Sequence, residues 1–265
     1  MRLIVPQVSA GQYAAALFKE RFNKKKNLVL ALPTGGTAVE MYAEFVRMYK
    51  NGEVSFKEIK SFNLDEYAGI EAGHPQSYRS FMRHNLFDHV DIKKENIFIP
   101  DGMAEDIEKE CVSYEQKIKD AGGIDLFFGG LGQNGHLAFN EPYSALSGRT
   151  HKVFLTKNTI EANSRFFTPP QRPPETAVTM GVGTILDAEE VVILVTGFKK
   201  AEALRAAVEG PVCAKWVISA LQMHSKAVIV ADAAACSNLE HDTFEYFKNL
   251  KDDYSEIEKA CLARK

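Results

Sequence analysis

Two stretches of this 265-residue chain carry groups that could move protons. In SFNLDEY, residues 61–67, Asp65 and Glu66 fall where an apolar run ends, and in GGLGQNGHLAFNEP, residues 129–142, His136 is followed by Glu141. An imidazole exchanges protons near neutral pH, and a positioned, partly desolvated carboxylate can take a proton from a carbon acid. Each group also has a plainer reading, the acids as turn or helix-cap residues and the histidine as a structural one. Gly130, Gly132 and Gly135 spell G-x-G-x-x-G, the spacing of a dinucleotide loop. Such a loop opens a helix and has an acid ~20 residues further on. Here LAFNEP runs into Pro142, and THKVFLT at 150–156 holds no acid, so the dinucleotide reading fails on both counts. What remains is a Gly-rich turn that carries His136 and Glu141 close to a strand end.

A third loop, LPTGGTAVEMY at 32–42, follows an apolar run with Pro33 and then Gly35 and Gly36 before a helical pattern that Thr37 could cap. Glycines let backbone amides converge on an anion, and a helix start adds positive potential. The same sequence also fits a tight turn that merely needs glycine. It lacks the lysine of a nucleoside-triphosphate loop, so none is implied.

These loops need a frame. Short β-rich runs, LIV near the start, NLVLAL (27–32), IKSFNL (59–64), NIFIP (96–100), DLFFGG (125–130), HKVFLT (151–156), TAVTMG (176–181), EVVILVTG (190–197) and KAVIVAD (226–232), alternate with helical patterns. The alternation predicts a single α/β domain over 1–265, a mostly parallel sheet with helices on both faces. In such sheets chemistry collects at the carboxyl ends of the strands, where the three loops lie. The Pro-rich TPPQRPPET at 168–176 fits a loop or lid. A helix over about 239–263 carries one apolar stripe (Phe247, Leu250, Tyr254, Ile257, Cys261). That stripe fits packing on the protein's own sheet or a homo-oligomer interface.

Composition narrows the classes. A net charge of −3 with mixed signs gives no case for nucleic acid or an anionic membrane. No apolar run approaches the ~18 residues of a membrane span, and the N-terminal run before Pro6 is too short for a signal peptide. Cys111, Cys213, Cys236 and Cys261 form no C-x-x-C pair, which points to reduced thiols in the cytoplasm.

Taken together, LPTGGT, SFNLDEY, GGLGQNGHLAFNEP, ANSRFF, VTMGVGTILDAEEVVILVTG and AVEGPV resemble the glucosamine-6-phosphate deaminase (glucosamine-6-phosphate isomerase) family, in the family's order. The resemblance implies a Rossmann-like sheet of the sugar-phosphate isomerase type. It also implies conversion of glucosamine 6-phosphate and water to fructose 6-phosphate and ammonia, with no cofactor and no metal. It assigns Asp65 as the base moving a proton between carbons 2 and 1, His136 as the ring-opening acid/base, and Glu141 as its carboxylate partner. Thr34, Gly35, Gly36 and Thr37, with Arg165 of ANSRFF and Lys200 of GFKKAEAL, correspond to the phosphate site, and 155–177 to a mobile lid. A lactone hydrolase of the same fold needs no carbon-acid base, so the complete FNLDEY loop argues against 6-phosphogluconolactonase. A sugar-phosphate sensor would adjoin a DNA-binding module, for which the first strand, at the N-terminus, leaves no room.

The chain departs from the family pattern in places. Asn134 stands where many members have Asp, so His136 is expected to rely on Glu141, with Asn134 orienting the imidazole. Ala38 replaces a common Pro after GGT. In SALSGRTHKV (144–153), His151 and Val153 replace the basic pair, and Ala145 one serine, through which hexameric members sense N-acetylglucosamine 6-phosphate. Weak or no activation by that effector follows. Initial rates measured against substrate, with and without the effector, are expected to superimpose; a sigmoidal curve made hyperbolic by the effector would contradict this.

Overall fold

The computed structural model describes residues 1–168 and 170–262. Pro169, within the expected lid, and position 263, at the end of the expected C-terminal helix, lie outside the described residues. In chain order the elements are β1 (Arg2–Ile4), α1 (Ala10–Lys24), β2 (Val29–Leu32), α2 (Gly36–Lys50), β3 (Lys60–Asn63), β4 (Asp65–Tyr67), α3 (Tyr78–Asn85), β5 (Ile97–Phe98), α4 (Ile107–Asp120) and β6 (Leu126–Gly130). They continue as β7 (His151–Phe154), α5 (Lys157–Ser164), β8 (Thr176–Thr179), α6 (Val182–Leu186), β9 (Glu190–Val195), α7 (Ala201–Val208), β10 (Ala227–Ala231), α8 (His241–Asn249) and α9 (Asp253–Leu262).

Seven strands form a parallel sheet in the order β1-β10-β9-β6-β2-β3-β5. Because alternate strand residues face opposite sides, the apolar runs feed two cores. Leu30, Leu32, Phe128, Val192 and Val230 face α1, α2 and Ile257 of α9. Ala31, Phe127, Val191, Ile193 and Ile229 face α4, α6 and α7. Each large apolar side chain buried fully in this way contributes roughly 1.5–3 kcal/mol, so burial on both faces fixes strand register firmly. After β1 at one edge, the chain crosses to β2, builds outward through β3 to β5, then returns beside β2 as β6 and builds the other way through β9 to β10, which pairs with β1. The switch point lies between β2 and β6, and parallel pairing puts the loops after β9, β6, β2 and β3 on one edge.

Two expectations change. HKVFLT and TAVTMG supply β7 and β8, which leave the main sheet and pair antiparallel with β4 in the order β4-β8-β7. The alternation along β7, with Lys152 and Phe154 exposed and His151 and Val153 half-buried, is that of a strand with one solvated face. The expected helix over 239–263 is two helices, α8 and α9, broken at Leu250–Asp252. Arg2 explains the break: its guanidinium donates to the carbonyls of Phe247 (2.5 Å) and Leu250 (2.8 Å) and pairs with Asp252 (2.7 Å). Asp252 in turn accepts the Ser255 N–H at the start of α9 (3.2 Å). The apolar stripe therefore divides, Phe247 packing on one core and Ile257 on the other.

Candidate functional site

Asp65 is the first residue of β4, reached from β3 through Leu64 alone. It is 6% exposed, and among the described residues no group hydrogen-bonds to its carboxylate. Burial, and after it the charge of neighbouring Glu66, push its pKa up to about 8. The two adjacent acids thus do different work. Glu66 accepts the backbone N–H groups of Tyr67 (3.0 Å), Tyr78 (2.9 Å) and Arg79 (3.0 Å), anchoring the start of α3. Burial still holds the Glu66 pKa above its ordinary value against those bonds. Glu66 therefore takes the helix-anchoring role open to either acid, and Asp65 is left without such a partner.

His136 sits in the turn after β6. A Cβ on Gly132 would lie 2.4 Å from the His136 ring, so only glycine there leaves the imidazole its place. The ring's Nδ1 lies 3.5 Å from Glu141 Oε2, an ion-pair distance long for a hydrogen bond, and among the described residues it has no hydrogen-bond partner. Glu141 is 6% exposed and densely solvated by protein. Its Oε2 accepts the Asn134 amide (2.7 Å); its Oε1 accepts the hydroxyls of Thr159 (2.5 Å) and Thr156 (3.1 Å). Burial alone would raise its pKa, but His136, Thr159 and Asn134 outweigh it and bring the value down to about 2. Asn134 therefore holds the carboxylate, not the imidazole as expected; its Oδ1 takes the His136 backbone N–H (3.3 Å).

The loops are tied to one another by hydrogen bonds. Leu64 N–H donates to Leu32 O (3.3 Å), Met180 N–H to Leu64 O (2.8 Å), and the Asn140 amide to Met180 O (2.7 Å). This ladder runs from the end of β2, through the residue before Asp65, to the residue before Glu141. Thr179 reinforces it: its backbone pairs with Asp65 in the small sheet, and its hydroxyl accepts the Phe139 N–H (3.1 Å). Tyr78 adds side-chain contact, bonding Thr34, stacking on Phe139 with centroids 5.9 Å apart, and lying close enough to Asp65 to feel its charge.

The third loop turns at Gly35, whose φ of 103° is open to glycine but strained for other residues. Gly35, not Thr37, is the N-cap of α2, and no side chain caps it, so Thr37 lies inside the first turn. Uncapped N–H groups at the start of a 15-residue helix suit an anion. Lys200 follows β9, next to β6. Its pKa is lowered, first by burial and then by the charge of Arg165, which places these two cations near each other. Neither makes an ion pair among the described residues. Arg165, at the C-terminal end of α5, lies over the Phe166 ring at 4.7 Å. Two residues earlier, the Asn163 amide donates to the Tyr67 hydroxyl (2.8 Å), joining the expected lid to β4. Two open surface depressions, ≈ 590 and ≈ 680 Å³, lie elsewhere, lined by Glu105–Lys109 with Lys152 and by Glu202, Arg205, Glu240 and Trp216 among others.

Sequence reading did not single out Thr156, Thr159, Tyr78 or Thr179. The T-K-N-T run at 156–159, a hydroxyl before a helical pattern, signals the N-cap that Thr156 provides, accepting from Thr159 N–H. Nothing local signals that its hydroxyls reach Glu141.

The sequence model of the family "Glucosamine-6-phosphate isomerases/6-phosphogluconolactonase" matches residues 7–230. Glucosamine-6-phosphate deaminases of Parabacteroides distasonis (50% identical over 262 residues, 96% of this chain and 97% of that protein) and Vibrio cholerae (51% over 259 residues, 95% and 97%) are similar along nearly the whole length. A solved structure of a monomeric glucosamine-6-phosphate deaminase superposes with a TM-score of 0.87 at 38% identity, covering 90% of this chain and 100% of that one. The 6-phosphogluconolactonase of Trypanosoma cruzi shares the fold at a TM-score of 0.67 and 19% identity, over 90% of this chain and 96% of that one.

The Asp65 environment has a consequence for stability. Its folded pKa lies above the unfolded value, so the folded state holds that proton more tightly, and stability falls as pH rises from about 3.8 toward about 8. Asp65→Asn is expected to melt higher than the parent at pH 8, with the difference closing near pH 4. At ~2–4 °C per kcal/mol for a chain of this size, a gain of several degrees is readable by calorimetry. Equal melting temperatures at both pH values would contradict the assignment of a buried, unpaired carboxylate.

Proposed function

The chain belongs to the family of glucosamine-6-phosphate isomerases and 6-phosphogluconolactonases, and on that premise we propose that it deaminates glucosamine 6-phosphate, releasing fructose 6-phosphate and ammonia. The observation that carries this reading is the hydrogen-bonded ladder binding the Thr34, Asp65 and Glu141 loops at one edge of the sheet. Similarity to deaminases along the whole chain supports the same chemistry over that of the lactonases.

In this reading the phosphate rests on the amides and hydroxyls of Thr34, Gly35, Gly36 and Thr37, with Arg165 and Lys200 adding charge. A phosphate remote from the reacting carbons can fund orientation there. Arg165 offers a planar fork and Lys200 a point charge. His136 moves a proton from the anomeric hydroxyl to the ring oxygen as the pyranose opens, and Glu141 stabilises the imidazolium that forms on the way. Asp65 then takes the carbon 2 proton, acidified by the adjacent aldehyde, while the electron pair moves to the carbonyl oxygen, which takes a proton from the substrate's 2-ammonium group to give an enolamine. Returning that proton to carbon 1 leaves an imine at carbon 2, to which water adds as ammonia leaves. Only proton transfers and hydrolysis are involved.

Asp65 must be ionised to act as base, so its raised pKa predicts a catalytic limb that rises with pH toward about 8 in the free enzyme. Cys111, Cys213 and Cys236 carry free thiols, which suits the cytoplasm. No helix of the described residues is long and apolar enough to cross a membrane. Arg149, next to the departed effector residues, is already committed to Glu115 (3.0 Å) and Asp187 (2.6 Å), which fits weak or absent activation by N-acetylglucosamine 6-phosphate.

Incubation with glucosamine 6-phosphate is expected to release equal amounts of ammonia and fructose 6-phosphate, with kcat/KM increasing from pH 6 to pH 8. Asp65→Asn should lower kcat by about a hundredfold or more, the usual reach of a general base. Hydrolysis of 6-phosphogluconolactone without ammonia release, or an Asp65→Asn enzyme as active as the parent, would refute the reading.

A further inference from the structure

We propose that Thr159, with Thr156 beside it, is a positioning residue for Glu141: the first turn of α5 grips one carboxylate oxygen so that the other is presented to His136. The proposal rests on the deaminase reading for its catalytic consequence, but not for the coupling itself.

The two oxygens of Glu141 are divided between different parts of the chain. Oε2 belongs to the Gly-rich turn, taking the Asn134 amide at 2.7 Å and facing His136 Nδ1 at 3.5 Å. Oε1 belongs to the segment expected to form the lid. It takes the Thr159 hydroxyl at 2.5 Å, the Thr156 hydroxyl at 3.1 Å and the Thr156 backbone N–H at 3.4 Å. Each hydroxyl has one proton. With both directed at Glu141, the 3.1 Å contact between the two hydroxyl oxygens carries none.

Helix capping alone does not call for this arrangement. Thr156 is the N-cap and accepts the Thr159 N–H, which its lone pairs can do wherever its proton points. Thr159 stands at the third helical position, where a capping box would carry Glu or Gln reaching back to the N-cap N–H. Here Glu141, from outside the helix, takes that N–H instead. One carboxylate therefore serves as the missing cap acid of α5 and as the partner of His136. Among the described residues, His136 is the only titratable group that contacts Glu141, and Glu141 the only one within ion-pair distance of His136.

A carboxylate oxygen held facing the imidazole favours the protonated form of His136. Removing Thr159 Oγ1 lets the carboxylate turn about its own side chain, so that Oε2 faces the imidazole less closely. His136 should then release its proton at lower pH, and kcat should fall because the carboxylate is less well held. Substrate binding, which depends on the phosphate groups, should change little.

The test pairs a titration with kinetics. In the uniformly labelled, ligand-free protein, the His136 imidazole, assigned by comparison with His136→Gln, is followed by nuclear magnetic resonance from pH 5 to pH 9. Thr159→Val is expected to move its midpoint downward by half a unit or more and to lower kcat about tenfold with KM within twofold. Thr159→Ala should behave alike, and Thr159→Ser, which returns the hydroxyl, should recover most of both effects. A His136 titration unchanged or moved upward in the Val and Ala variants, or an equal shift in the Ser variant, would overturn the proposal. Because the titration uses no substrate, it stands or falls apart from the deaminase reading, which ammonia release decides.

Discussion

Hydrogen bonds among Leu32, Leu64, Met180 and Asn140 hold together loops that the sequence scatters over more than a hundred residues. These are ordinary backbone and amide contacts, each with a net worth of only about 0.5–1.5 kcal/mol. Their importance is geometric. β2, β3 and β6 are already fixed by two apolar cores, so the ladder needs to specify only the last residues beyond each strand. The small antiparallel sheet makes that specification rigid, because Thr179 pairs with Asp65 through its backbone and holds Phe139 through its hydroxyl. A loop displaced at any rung would carry its neighbours with it.

Within that frame, environment sorts chemically similar groups. Asp65 and Glu66 are adjacent acids, both buried, yet the Glu66 carboxylate is surrounded by three N–H donors while no group hydrogen-bonds to the Asp65 carboxylate among the described residues. Glu141, equally buried, is brought to the opposite extreme by hydroxyl, amide and imidazole donors. One carboxylate that resists ionisation and one that ionises readily, held on neighbouring loops, is the arrangement that separates acid–base roles in a single site. A carboxylate kept unpaired in the interior lowers stability, a common cost of function.

Strand runs such as EVVILV and AVIVA announce a sheet covered on both faces, and the positions of Asp65, His136 and Gly35 at strand ends point to one edge. What escapes local reading depends on distant partners. The break in the C-terminal helix is made by Arg2, some 250 positions away, drawing off helix carbonyls. β7 and β8 leave the main sheet because β4, a three-residue strand inside the SFNLDEY motif, needs partners. Thr156 and Thr159 carry an N-cap signal, but their reach to Glu141 follows from how α5 lies on the Gly-rich turn. Asn134 was expected at the imidazole and is instead at the carboxylate, a choice that spacing cannot distinguish because the two acceptors are adjacent.

The central claim is that one hexose phosphate meets all these loops at once. A crystal structure with fructose 6-phosphate bound tests it most directly. The account predicts phosphate oxygens at about 2.7–3.2 Å from the amides at 35–37 and from Arg165 or Lys200. It predicts carbons 1 and 2 within about 3.5 Å of the Asp65 carboxylate, and His136 on the opposite side of the same sugar. A phosphate seated elsewhere, or a sugar that leaves Asp65 or His136 out of reach while the phosphate is held, would contradict it.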